Sequence, residues 1–178
     1  MDVEVRPLAV SDIPAVCETQ AGAYKDSSLY EPPETFEAYV RAFPAGSLAA
    51  VANDSLVGYG VGHPWIKGEP LPLDITELEL PTTPTCFHVH DIAVKVKGLE
   101  VGRLLLRQML EVATEEQLEF IDLIAVQGAD TYWHQFGFRP SEPETQAARA
   151  AYGSTAVYMV AAIGDLDTKR PTRQAGPR

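Results

Sequence analysis

The sequence predicts a single α/β (α+β) domain in which six to seven strands and about four helices share one core. At 178 residues the chain is long enough for one well-packed α/β core and short for two. Strand-period and helix-period hydrophobic patterns follow one another from residue 3 to 162 with no internal repeat. Within that run, CFHVHDIAV, KVKGLEVG and RLLLRQMLEVATEE read as a strand, a glycine-bearing turn and a helix.

The elements follow in order. Val3 and Val5 alternate with Glu4 and Arg6 as a first strand. Ser11-Asp12-Ile13-Pro14 then reads as a helix start, with a capping side chain and an early proline. A second helix begins at Glu31-Pro32-Pro33-Glu34-Thr35, carries Phe36, Tyr39, Val40 and Phe43 on one face, and stops at Pro44. Residues 47–52 and 56–65 are β-runs joined by Asn53-Asp54-Ser55, a hairpin turn in composition. Residues 66–85 carry four prolines and four acidic side chains, and are expected to form an irregular insertion over the active site. After the strand–turn–helix unit, FIDLIAV is a buried strand, ADTYWHQF a short helix ended by Gly137, and Phe138 and residues 156–162 supply the last strands. The domain is thus expected over 1–163, with 164–178, almost without apolar residues, as a disordered tail.

Composition limits the function classes. No apolar run approaches the roughly 20 residues of a bilayer span, so no membrane partner is expected. A formal charge of −11 argues against a nucleic-acid partner, which would need clustered Lys and Arg, and is compatible with a cationic substrate. MDVEVRPLAV lacks the basic and apolar stretches of a signal peptide, which predicts a cytoplasmic protein. Cys17 and Cys86 stand far apart without ligand spacing and read as reduced core thiols, with no metal site. The open edges of a small sheet would allow a homodimer.

Across residues 3–162 this order of elements resembles the GNAT acetyltransferase superfamily, and two local matches carry the resemblance: HDIAV…KGLEVGRLLL and ADTYWHQFGF. It implies the acyl-CoA N-acyltransferase fold, a mixed, mostly antiparallel sheet, with acetyl-CoA as acyl donor. FHVHDIAV also resembles the paired-histidine strand of arylalkylamine N-acetyltransferases. The resemblance places the pantetheine arm on the main chain of Ile92, Ala93 and Val94. The pyrophosphate falls on Lys97, Gly98, Leu99, Glu100, Val101, Gly102 and Arg103, where successive backbone N–H groups and a helix N-terminus can cradle an anion. Lys97 and Gly102 match the family's basic and glycine positions, whereas Glu100 stands where the family has Gly and the turn is about two residues short.

Acetyl transfer to an amine needs a base, an oxyanion donor and a route for the thiolate to leave. His88 and His90 alternate onto one face of the strand and are the candidate bases, each also readable as a packed structural histidine. Asp91 falls on the opposite face unless a bulge breaks the alternation. Tyr132 is the candidate proton donor to the thiolate, and Trp133 either packs beside the pantetheine or joins the core with Tyr132. Tyr24, Tyr30, Trp65, Asp74 and Glu77 are candidates to line the acceptor pocket. The reading that follows is an N-acetyltransferase acting on a small primary amine. A GNAT-fold binding or regulatory module with weakened catalysis, and a protein lysine or N-terminal acetyltransferase, are the alternatives.

Overall fold

A computed structural model of the chain describes residues 2–95, 100–142 and 151–168. Seven strands form one sheet in the order β1-β2-β3-β4-β5-β7-β6. They are β1 (Glu4–Pro7), β2 (Ser47–Ala52), β3 (Ser55–Trp65), β4 (Cys86–Val94), β5 (Phe120–Ala125), β6 (Arg139–Pro140) and β7 (Val157–Ala162). Every pairing is antiparallel except β4 with β5. The β2–β3 hairpin turns on Asn53 and Asp54, both at positive φ (48° and 58°), a conformation these short polar residues tolerate.

Helices α1 (Ile13–Ala23) and α2 (Pro33–Ala42) cover one face of the sheet, and α3 (Val101–Glu115) and α4 (Asp130–His134) the other. The first face buries Ile13, Val16, Phe36 and Tyr39 against Tyr59, Val61 and Ala93. The second buries Leu105, Leu106 and Met109 against Phe87, Val89, Ile121 and Leu123. The single core expected from length is therefore divided in two by the sheet. Pro14 sits in the first turn of α1, but Ser11 does not cap it. Asp12 turns back instead, accepting from the Ala9 N–H at 2.8 Å and from both Arg6 guanidinium nitrogens.

Residues 66–85 form no helix or strand. Their ends are closed by Thr85 N–H to the Trp65 carbonyl (2.8 Å) and Lys67 N–H to Thr85 Oγ1 (2.9 Å), and Leu71 is buried with α1 and α2. Past β7, Leu166 packs on the α3 side and the Asp167 N–H reaches the Phe136 carbonyl at 3.1 Å. Residues 169–178 lie outside the described residues. Among the described residues no helix is long and apolar enough to cross a membrane.

Candidate active site

Two irregularities in β4 build the site. Its pairing with β5 extends only over Phe87–Ile121, His88–Asp122 and Val89–Leu123, so from residue 90 the strands part and the β5-facing edge of β4 has no ladder partner there. The pairing with β3 shifts between Val61 and Gly62: Asp91 lies opposite Val61 and Val89 opposite Gly62, leaving His90 as the extra residue of a bulge. The bulge resets the alternation. Phe87, Val89, Ile92 and Val94 face α3, while His90 packs at a tilt against Tyr39 of α2 (ring centroids 4.6 Å apart) and Asp91 bonds Tyr24 and Tyr59 on the same side. Strict alternation would put Asp91 on the opposite face; the structure puts it beside His90.

Where the strands part, a cavity of about 30 Å³, room for about one water, lies between Tyr24, Glu31, His90 and Asp91 on one side and Ile124, Val126 and Tyr152 on the other. Leu29 and Leu73 complete its wall. The His90 side chain is fully buried. Its Nε2 lies 2.7 Å from Glu31 Oε2, and its Nδ1 is buried without a hydrogen-bond partner. A carboxylate at Nε2 holds the proton there and leaves Nδ1 as a lone-pair acceptor. Burial disfavours charge on His90, but Glu31, by charge and hydrogen bond, and Asp91 outweigh it, so the imidazole titrates above its ordinary 6.5. Asp91 accepts from both the Tyr24 and Tyr59 hydroxyls; burial raises its carboxyl above the ordinary range despite these bonds.

His88 has a different environment. Its Nδ1 is 2.7 Å from Asp122 Oδ1, and Asp122 Oδ2 accepts from the Tyr158 hydroxyl (2.5 Å) and the Cys86 thiol (3.4 Å). The His88 ring lies 6.1 Å from that of His90 and 5.7 Å from that of His63, whose pKa burial drives well below the ordinary value. Cys86 is a buried thiol as expected, and Cys17 is half-buried.

On the opposite face, the Glu100 backbone stands at φ 55° just ahead of α3, and its carboxylate bonds Arg103 at 3.0 Å. A Cβ on Gly102 would come 2.7 Å from the Tyr132 hydroxyl and 4.0 Å from Ile92 Cγ2, which places Tyr132 over the first turn of α3. Burial raises the Tyr132 pKa, with Arg103 opposing and Glu100 adding to the shift. Trp133 is buried between Phe136 and Phe138 in the α3-side core. Lys97, Gly98 and Leu99 lie outside the described residues.

Of the expected pocket residues only Tyr24 lines the cavity. Tyr30 bonds the Ala21 and Tyr24 carbonyls, Trp65 bonds the Glu69 carbonyl, and Asp74 and Glu77 are exposed. The acidic groups come instead from Glu31 and Asp91. Sequence reasoning missed Glu31, Tyr59, Asp122 and Tyr152. An acidic residue inside an otherwise apolar strand, as in FIDLIAV, marks a buried carboxylate with a partner; nothing local marks the other three.

The sequence matches the family model described as Acetyltransferase (GNAT) family over residues 13–138. The loading GNATL domain of CurA from Lyngbya majuscula is similar in structure at TM-score 0.71 and 11% identity, covering 92% of this chain and 99% of that one. The ribosomal-protein-S18-alanine N-acetyltransferase from Escherichia coli is similar at TM-score 0.65 and 14% identity, covering 91% and 94%. A GNAT family acetyltransferase from Brucella melitensis in complex with acetyl-CoA is similar at TM-score 0.56 and 16% identity, covering 90% and 88%. No curated protein is matched by the sequence.

A mixed sheet that parts between a bulged β4 and β5, ahead of a helix N-terminus, is the architecture of an acyl-CoA-using transferase. The chain belongs to the GNAT acetyltransferase family, whose members are enzymes that take the acyl group from acetyl-CoA. The residues fit that donor. The β4 edge beyond Val89 offers unpaired main chain to an amide-bearing arm, Gly102 leaves no Cβ on the first turn of α3, and Arg103 stands there as a cation, shared with Glu100.

Proposed function

We propose that the protein transfers an acetyl group from acetyl-CoA to the primary amine of a small molecule, with His90 as general base. The observation that carries this reading is the buried, unpartnered Nδ1 of His90 beside the cavity, its other nitrogen held by Glu31. Acetyl-CoA supplies a thioester whose carbonyl carbon bonds the amine nitrogen as its C–S bond breaks. An ammonium acceptor gives up two protons: one goes to solvent by way of His90 Nδ1 before attack, and one ends on the CoA sulfur. His88 is the weaker candidate, because its Nδ1 is committed to Asp122.

Ile92, Ala93 and Val94 would hold the pantetheine arm, and a main-chain N–H of this edge would meet the developing oxyanion. Lys97, Gly98, Leu99, Val101, Gly102 and Arg103 would form the phosphate cradle. Tyr132 would protonate the departing thiolate, a role favoured by its hydroxyl over Gly102 and its raised pKa, which keeps the proton in place. The small volume of the cavity favours a slender acceptor over a protein chain.

The test is release of CoA thiol, with the acetylated product weighed by mass spectrometry, in the wild type and in His90→Ala. Replacing the base should lower kcat by about 10²–10⁴-fold with acetyl-CoA binding unchanged. No acetyl transfer to any amine by protein that binds acetyl-CoA, or full activity in His90→Ala, would overturn the reading.

A further inference from the structure

We propose that Glu31 and Asp91 read the charge of the acceptor, so that the site takes small primary amines arriving as ammonium ions without a carboxylate beside the amine, and rejects amino acids. The inference rests on the acetyl-transfer reading and adds the substrate class. Both carboxylates line the same cavity and both residues are buried, and no Lys or Arg is among the residues lining it. The buried Nδ1 of His90, without a partner, belongs to the same wall and calls for a ligand N–H.

Each carboxylate retains acceptor capacity after its internal bonds. Glu31 accepts from His90 Nε2 and from the Asp74 N–H (3.1 Å), and Asp91 from two phenols. A carboxylate has about four lone-pair sites, so both can also accept from an ammonium. Tyr24 and Tyr152 add aromatic surface, which favours a cation. An α-carboxylate on the acceptor would be held against two buried carboxylates with no cation among the lining residues to offset it, and like charges in a desolvated site repel strongly. The same two carboxylates act on His90 as on the ammonium, so their field favours a proton on either nitrogen and does not block its transfer between them.

The experiment is calorimetric binding of matched amines to the wild-type protein saturated with CoA: tyramine against tyrosine, and putrescine against ornithine. The carboxylate-free member of each pair should bind at least about tenfold more tightly. Glu31→Gln and Asp91→Asn, which keep the side-chain shape and remove the charge, should each reduce that ratio by about threefold or more. Equal binding within the pairs, tighter binding of the amino acids, no binding of either amine, or ratios unchanged in both variants would overturn the proposal. Should Asp91→Asn fail to fold, the wild-type ratios and Glu31→Gln decide. Thiol release in the same mixtures with acetyl-CoA separates the two claims: preference without turnover removes the acetyl-transfer reading and keeps this one, and turnover without preference does the reverse.

Discussion

His90 is set apart from the other two buried histidines by its partners. His63 is kept neutral by burial and His88 is tied to Asp122, while His90 meets a carboxylate on one nitrogen and nothing on the other. A base must be neutral to act, so activity should fall as pH drops through the raised His90 pKa. Glu31→Gln removes the main raising influence, and the acid limb of kcat/KM should move to lower pH. A pH–rate profile of the two proteins checks this; an unmoved limb would place the titrating base elsewhere. The same shift has a stability side. Because the folded pKa is raised, the stabilisation from protonated His90 is fully present below 6.5 and is lost as pH rises through the folded value. Thermal melts of wild type and Glu31→Gln should therefore differ more at pH 5.5 than at pH 9.

Strand β4 depends on its bulge, and the bulge on Gly62. A Cβ at Gly62 would come 2.5 Å from Phe87 Cε1 and 2.9 Å from the His88 carbonyl oxygen, an immobile core ring and a backbone atom. Gly62→Ala should destabilise the protein by about 1–3 kcal/mol, read as a lower Tm, and should lower kcat by displacing His90. Helix α3 carries the second dependence. Glu100 holds a left-handed backbone that Gly adopts freely, and its half-exposed ion pair with Arg103 contributes little to stability. Glu100→Gly should leave stability within about 1 kcal/mol of wild type. By removing a carboxylate from the residue just ahead of α3 it should tighten acetyl-CoA binding several-fold in a calorimetric titration. Weaker binding would mean that the Glu100–Arg103 pair shapes the cradle rather than competing with the donor.

Across the whole molecule, residues 66–85 are tied to the C-terminal third of the chain. The Tyr152 hydroxyl donates to the Leu71 carbonyl at 2.8 Å, and the Gly68 N–H donates to the Tyr158 hydroxyl at 2.8 Å. Both tyrosines continue into the site, Tyr152 as a cavity wall and Tyr158 through Asp122 to His88. Tyr152→Phe removes one of the two ties, worth about 0.5–1.5 kcal/mol. Amide exchange in residues 66–85 should quicken and the acceptor KM should change, with acetyl-CoA affinity held. Unchanged exchange would show that Leu71 packing and the Gly68–Tyr158 bond suffice to keep the segment closed.

Periodicity and turn residues in the sequence were sufficient to order six to seven strands and about four helices, because amphipathic faces and turn chemistry are written locally. The strand–turn–helix unit and the two histidines of HVHD were legible for the same reason. Tertiary structure alone decided which histidine faces the cavity and what surrounds it. The bulge at His90 arises from register against β3, and it carries Asp91 across the sheet. Glu31 and Tyr59 lie far from His90 and Asp91 in sequence: Tyr59 meets Asp91 when β3 pairs with β4, and Glu31 meets His90 only when the segment between α1 and α2 packs on the sheet. Side-chain type and spacing are properties of neighbouring residues, whereas burial and electrostatic pairing belong to residues brought together by the fold.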